Sequence, residues 1–306
     1  MSNRLTQATH TLVAKFRRQR PVRSGSLLIT MFGDAIAPRG GTVTLGSLIR
    51  LARPFGIPER LVRTSVGRLA QEGWLEFRRS GRQSEYFLTE HGRNRFAEAT
   101  RRIYAEAPAD WDGNWTLIVM PPGARARRER IREQMAWLGF GQISADVLAH
   151  PSRSVTDARG QLSELRIDSG AVILHAASEG PDADQALLQA GWDLGELARS
   201  YQRFVASFQP IRGLLNGRSD APETAFVIRT LLIHQYRKIH LRDPLLPHSL
   251  LPPDWIGAQA YELCRDLYRR LFAAAEAHIA ATAETLDSKL TAPARDTYKR
   301  FGGLTV

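Results

Sequence analysis

A single cysteine, Cys264, stands among 306 residues, which excludes an internal disulfide and any CxxC zinc or redox site. No uninterrupted apolar run approaches the roughly 20 residues that a membrane-spanning helix needs. The stretch from Met1 to Thr11 has no apolar core followed by a small-residue cleavage site, so a cytoplasmic chain with no membrane partner is expected. The signatures of common active sites are missing as well. There is no GxGxxG, no P-loop and no GxSxG nucleophile elbow. The eight histidines form no HxxxH or HExxH pair, and His234, His240 and His248 near Asp243 lack metal-ligand spacing. Cys264 lies on a patterned helix and reads as packed rather than nucleophilic. Neither an enzyme nor a resident cofactor or metal is expected.

Acidic residues are scarce in one region only. Up to Arg102 the chain carries 19 Lys and Arg against 7 Asp and Glu, and the remainder carries 23 against 24. The formal net charge of +11 therefore resides in the first third. A polyanion is the partner that such a segment attracts, because neutralising phosphates releases their counterions.

Composition divides the chain into a block at 1–104, a block at 111–180 that alternates strand-like and helix-like stretches, a helical block at 182–284, and a weakly patterned tail at 285–306. The first block opens with Lys15, Arg17, Arg18, Arg20 and Arg23 around Phe16, a basic arm or short helix. Ser26 to Ala35 is a mainly apolar helix. Thr44 is an N-cap for Leu45 to Ala52, and Pro58 fits the first position of a third helix reaching Gln71. Trp74 to Arg79 and Glu85 to Leu88 flank a Ser80-Gly81-Arg82-Gln83 turn, a hairpin. Three helices and a hairpin in this order predict a winged helix-turn-helix.

The third helix carries the sharpest signal. At 100° per residue Leu61, Val62, Ser65, Val66 and Leu69 share one arc, and Arg60, Arg63, Thr64, Gly67, Arg68 and Gln71 share the opposite one. Arginine grips guanine O6 and N7 with two hydrogen bonds, and Thr and Gln read other edges or phosphates. Arg60, Arg63, Thr64 and Arg68 are thus the candidates for a major groove, and Arg78, Arg79 and Arg82 on the hairpin for phosphates or an adjacent minor groove. A solvated cationic face is the competing explanation.

The middle block predicts a βαββαβ sheet: Trp115 to Met120 a strand, Arg125 to Leu138 a helix with Ile131, Met135 and Leu138 inward, Gln142 to His150 one or two strands, a faint helix within 151–164, and Ala171 to His175 the last strand. The first strand ends in Met120-Pro121 rather than an acid, which gives no support to a metal-assisted nuclease. In the third block Ala186 to Phe208, Thr224 to Ile239 and Ala258 to Ala281 read as helices. Pro244, Pro247, Pro252 and Pro253 force a stiff, extended link between the last two.

Three stretches together resemble the PaaX family, repressors of phenylacetic acid catabolism: GIPERLVRTSVGRLAQEGWLEFRRSGRQSEYFLTEHGR from Gly56, WTLIVMPPGARARRERIREQMAWLGFGQIS from Trp115 and LRDPLLPHSLLPPDWIGAQAYELCRDLY from Leu241. The resemblance implies an α+β chain in three parts: an N-terminal winged helix-turn-helix, a ferredoxin-like middle domain and a mostly helical C-terminal domain. It also implies a homodimer that binds double-stranded operator DNA and lets go when phenylacetyl-CoA or a related aryl-CoA thioester binds. For such an effector Arg125 and Arg128 offer cations for phosphates, and His234, Tyr236, Arg237, Lys238 and His240 offer cations and a ring. Solvation and domain packing compete for each of these. A CoA-thioester enzyme and a non-specific architectural DNA-binder are the alternatives from other classes. The first would show turnover and the second equal affinity for every duplex.

Overall fold

The computed structural model describes residues 2–19, 24–105, 110–164, 170–215 and 221–304. The fold is α+β, and the chain divides into two compact units. One comprises Met1–Glu106, Arg203–Lys238 and Gln259–Val306, and the other Ala107–Gln202 and Ile239–Ala258.

In the first unit α1 (Ser2–Arg17) precedes α2 (Ser24–Met31), which runs on as a π-type turn over Phe32–Ile36. The basic arm is therefore helical through Arg17 and anchored: Phe16 is buried, with its ring edge-on to His234 at 5.6 Å. Arg20 and Arg23 lie outside the described residues. After β1 (Thr42–Thr44) comes α3 (Leu45–Ala52), capped by Thr44, whose side chain accepts from the Ser47 amide. Next follow α4 (Glu59–Gln71), β2 (Leu75–Ser80), β3 (Gln83–Leu88) and α5 (Glu90–Ile103). Pro58 stands one place earlier than expected, as the cap of α4 at φ −69° and ψ 151°, where its extended backbone and missing N–H equally suit a helix start. The sheet order is β1-β3-β2, antiparallel throughout. Gly81 opens the two-residue turn at φ 56°, a left-handed position that such tight hairpins need.

What fixes this head is a buried ionic cluster. Asp34 Oδ1 accepts from the hydroxyls of Tyr104 at 2.7 Å and Tyr268 at 2.8 Å, and from Arg300 at 2.9 Å. Arg229 Nε lies 3.0 Å from Oδ2, paired in charge although not aligned for a hydrogen bond. Arg229 also binds Glu276 at 2.7 Å, and Arg39 pairs with the same carboxylate. Burial pushes Asp34 upward, but the two arginines and two hydroxyls outweigh it and hold its pKa below the ordinary value. Apart from Arg39 and Tyr104, the partners come from α10 (Pro222–His240), α11 (Ile256–Thr282) and a 3₁₀ segment, Arg295–Gly302. The weakly patterned tail is thus part of the core, with Phe301 buried against Tyr104 and Tyr268. Cys264 on α11 is buried, and burial raises its thiol pKa.

The second unit holds β4 (Asn114–Val119), α6 (Arg125–Trp137), β5 (Gly141–Ser144), β6 (Val147–His150), α7 (Val155–Glu164) and β7 (Val172–Ala177), with antiparallel order β5-β6-β4-β7. This is the ferredoxin-like arrangement. Strand alternation sends Ile118 and Leu148 toward Ile131, Met135, Ala158 and Leu162 of the two helices. Trp115 and Ala149 face the other way, onto Leu188, Leu246 and Leu250.

The expected single helix from Ala186 to Phe208 is two helices, α8 (Pro181–Gly191) and α9 (Leu194–Leu214). Trp192 adopts extended backbone between them and donates to the Gly139 carbonyl at 3.0 Å, while Asp193 accepts from the Glu196 amide at 2.8 Å. Apolar periodicity on both sides masks this break. The Gly191 and Asp193 boundary residues are its signal.

Candidate nucleic-acid interface

Helix α4 owes its setting to a mixed inner face. Val62, Ser65, Val66 and Leu69 are buried, and Ser65 Oγ meets Ser24 Oγ of α2 at 3.0 Å. The opposite face holds Arg60, Arg63, Thr64, Arg68 and Gln71, all exposed. Both arcs read from the sequence are reproduced in space.

The exposed cations differ in what they already hold. Arg63 donates to Glu59 Oε1 at 2.6 and 2.8 Å, and Arg68 to Glu72 at 2.7 Å. Arg60 has no ion pair among the described residues. Thr64 donates to the Arg60 carbonyl at 2.9 Å and keeps acceptor capacity. Exposed pairs four residues apart are weak, so exchanging either carboxylate for another acceptor costs little. Glu72 was not visible as a partner because it lies just past the helix.

On the hairpin Arg79 stands 5.8 Å from the ring of Phe77, which is itself half-exposed and leans on Tyr86. Arg82 sits exposed at the turn. Arg78 is occupied: its Nε donates to Glu85 at 2.6 Å and its Nη2 to Asp287 at 2.9 Å. Those two bonds, Glu85 first, raise its pKa. In sequence Phe77 looks like a core position, because it alternates with Glu76 and Arg78; its exposure is a property of the fold.

The candidate effector residues fall in different units. Arg125 is exposed at the start of α6, and Arg128 pairs with Asp146 at 2.6 Å. In the first unit His234 is buried, with Nδ1 3.0 Å from Thr30 Oγ1, and Tyr236 is buried against Phe204. Arg237 donates to Thr30 and to both the carbonyl and hydroxyl of Ser26. Burial pulls Arg237 down to about 10, which leaves it charged at neutral pH. Lys238 is half-buried. In the second unit His240 is buried beside the Tyr201 hydroxyl at 3.2 Å, and that hydroxyl donates to Asp243 at 2.7 Å. His234, Arg237 and His240 therefore each make protein contacts. Among the described residues no cluster of three His, Cys, Asp or Glu side chains is arranged to hold a metal, and no helix is long and apolar enough to cross a membrane.

Comparison with known proteins covers the chain in three pieces. The PaaX-like protein family matches residues 23–92, the PaaX protein central Cas2-like domain residues 108–188, and the PaaX-like protein C-terminal domain residues 192–281. The chain is 38% identical over 292 residues to the transcriptional repressor PaaX of Escherichia coli (strain K12), covering 94% of this chain and 92% of that one. Among solved structures, the uncharacterized protein Rv0674 from Mycobacterium tuberculosis is similar at 23% identity and a TM-score of 0.49, over 74% of this chain and 89% of that one.

Proposed function

The chain belongs to the PaaX family, and on that premise we propose that it is a transcriptional repressor that binds operator DNA as a homodimer and is released by phenylacetyl-CoA or a related aryl-CoA thioester. In this reading residues 1–104 form a winged helix-turn-helix, 111–180 a ferredoxin-like middle domain, 182–284 a helical C-terminal domain and 285–306 a tail. The observation that carries it is the two-sided character of α4, with a mainly apolar inner face seated in the head and an outer face of three arginines, Thr64 and Gln71 in solvent.

Arg60, Arg63, Thr64 and Arg68 enter a major groove, while Arg79 and Arg82 reach phosphates beside it. Arg78 joins them by exchanging a carboxylate partner for a phosphate. Two heads related by a two-fold axis favour a pseudo-palindromic operator with half-sites about one helical turn apart. Arg125 and Arg128 are assigned to the phosphates of the CoA thioester. His234, Arg237, Lys238 and His240 are the further candidates for the effector, with packing as the competing role. Effector and DNA binding then oppose one another reciprocally.

A titration of the promoter fragment that the protein controls against random duplex, at fixed salt, tests this reading. Preference for the promoter fragment that phenylacetyl-CoA abolishes supports it. Equal affinity for both duplexes, insensitive to the thioester, identifies an architectural DNA-binder instead.

A further inference from the structure

The chain that follows α11 reaches back to the wing. Ala283 to Leu290 folds into a small turn, closed by the Thr285 amide on the Ser288 carbonyl at 2.7 Å and by the Leu290 amide on the Ala283 carbonyl at 3.2 Å. One side of this strap is fastened to β1 and α3. The Thr44 amide donates to the Glu284 carbonyl at 3.0 Å, the Glu284 amide to Ser47 Oγ at 2.9 Å, and Arg50 to the Glu284 carboxylate at 2.7 Å. Its tip meets the hairpin. The Leu286 amide donates to Glu85 Oε1 at 2.7 Å, and Glu85, only 1% exposed, gives its other oxygen to Arg78 Nε.

Glu85 thus fixes the guanidinium from beneath and turns Nη2 outward. There it meets Asp287 Oδ2 at 2.9 Å, with the Asp287 side chain 80% exposed and that of Arg78 55%. The strap delivers a carboxylate to the outward donors of a wing arginine, where a DNA phosphate oxygen would bind.

We propose that Asp287 sets the DNA affinity of this protein by occupying Arg78 as a phosphate mimic, which DNA must displace. The inference rests on the DNA-binding reading above. Arg78 remains bound to Glu85 throughout, so only its outward bond changes hands, and the exposed Asp287 returns to solvent. Wild-type protein therefore gains less from Arg78 than an unmasked arginine would give. Asp287 is a positioning residue for the wing and not a contact to DNA.

Fluorescence anisotropy of a labelled random-sequence duplex, titrated with full-length protein at several salt concentrations, reads the effect. Asp287→Asn is expected to bind about 3- to 10-fold tighter, with a log–log salt slope steeper by up to about one. Asp287→Glu should stay near wild type. In an Arg78→Ala background, the gain from Asp287→Asn should fall to less than half. Unchanged or weaker binding by Asp287→Asn at wild-type Tm overturns the proposal, and so does an undiminished gain in the Arg78→Ala background, which would mean charge repulsion at a distance. Wild-type protein that binds no duplex at any salt overturns the DNA-binding reading itself.

Discussion

Arg63 holds Glu59 in the free protein through two donors on one oxygen, the same fork that a guanine edge accepts. Replacing it removes that fork and leaves the exposed Glu59 to water. Arg63→Ala is expected to cost about 1–3 kcal/mol on operator DNA and to relax base preference at one position, measured by mobility shift on a set of single-base operator variants. Asp34 governs folding at the same scale. Without its carboxylate, Arg300 loses its buried ion pair and Arg229 keeps only Glu276, which it shares with Arg39. Asp34→Ala is therefore expected to lose about 3–5 kcal/mol in urea unfolding at neutral pH. The sign with pH follows from its lowered pKa. Its contribution is complete above the ordinary carboxylate value near 3.9 and vanishes as the pH falls through the lower folded value. The stability difference between wild type and Asp34→Ala should thus persist to about pH 4 and shrink in stronger acid. None of these partners is legible in sequence, because Asp34, Arg229, Tyr268 and Arg300 are drawn from four distant stretches that no periodicity links.

Helix α5 shows how closely one element can be pressed on another. Thr89 caps it by accepting from the Gly92 amide at 2.9 Å and also donates to the Gly73 carbonyl at 2.6 Å. A β-carbon on Gly92 would stand 2.3 Å from the Trp74 carbonyl oxygen, so only glycine lets the helix start against the strand. Gly92→Ala is expected to lower stability by about 1–3 kcal/mol, seen as a reduced Tm, by pushing α5 off the base of the hairpin. Elements with a strong local pattern were legible. The two faces of α4 and the β2–β3 hairpin follow from spacing of 3.6 and from a glycine turn, and both occur where expected. The α8–α9 break was not, because Leu187, Leu194 and Leu197 keep helical spacing across Trp192 and Asp193. What overrides that spacing is the Trp192 side chain bonded to Gly139 in the turn between α6 and β5.

For the molecule as a whole, the block at 1–104 shares its core with later stretches of the chain. Phe16 meets His234, Phe55 meets Phe226 at 5.9 Å, and Tyr104 meets Phe301 at 5.1 Å, each partner lying more than a hundred residues downstream. A fragment ending at Tyr104 would expose those rings and leave Asp34 without either arginine. It is expected to lack the cooperative melting transition and near-ultraviolet circular dichroism expected of the full chain. A fragment that melts cooperatively would mean the head is autonomous. Charge asymmetry, the cationic arc of α4, the hairpin and the βαββαβ order are properties of neighbouring residues, so they were fixed by sequence alone. Which cations are spent was decided in three dimensions. Arg229 and Arg300 neutralise a buried acid, Arg237 serves α2, and Arg78 is held by Glu85 and by a strap 209 residues away, because desolvation and pairing depend on what the fold brings within about 3 Å.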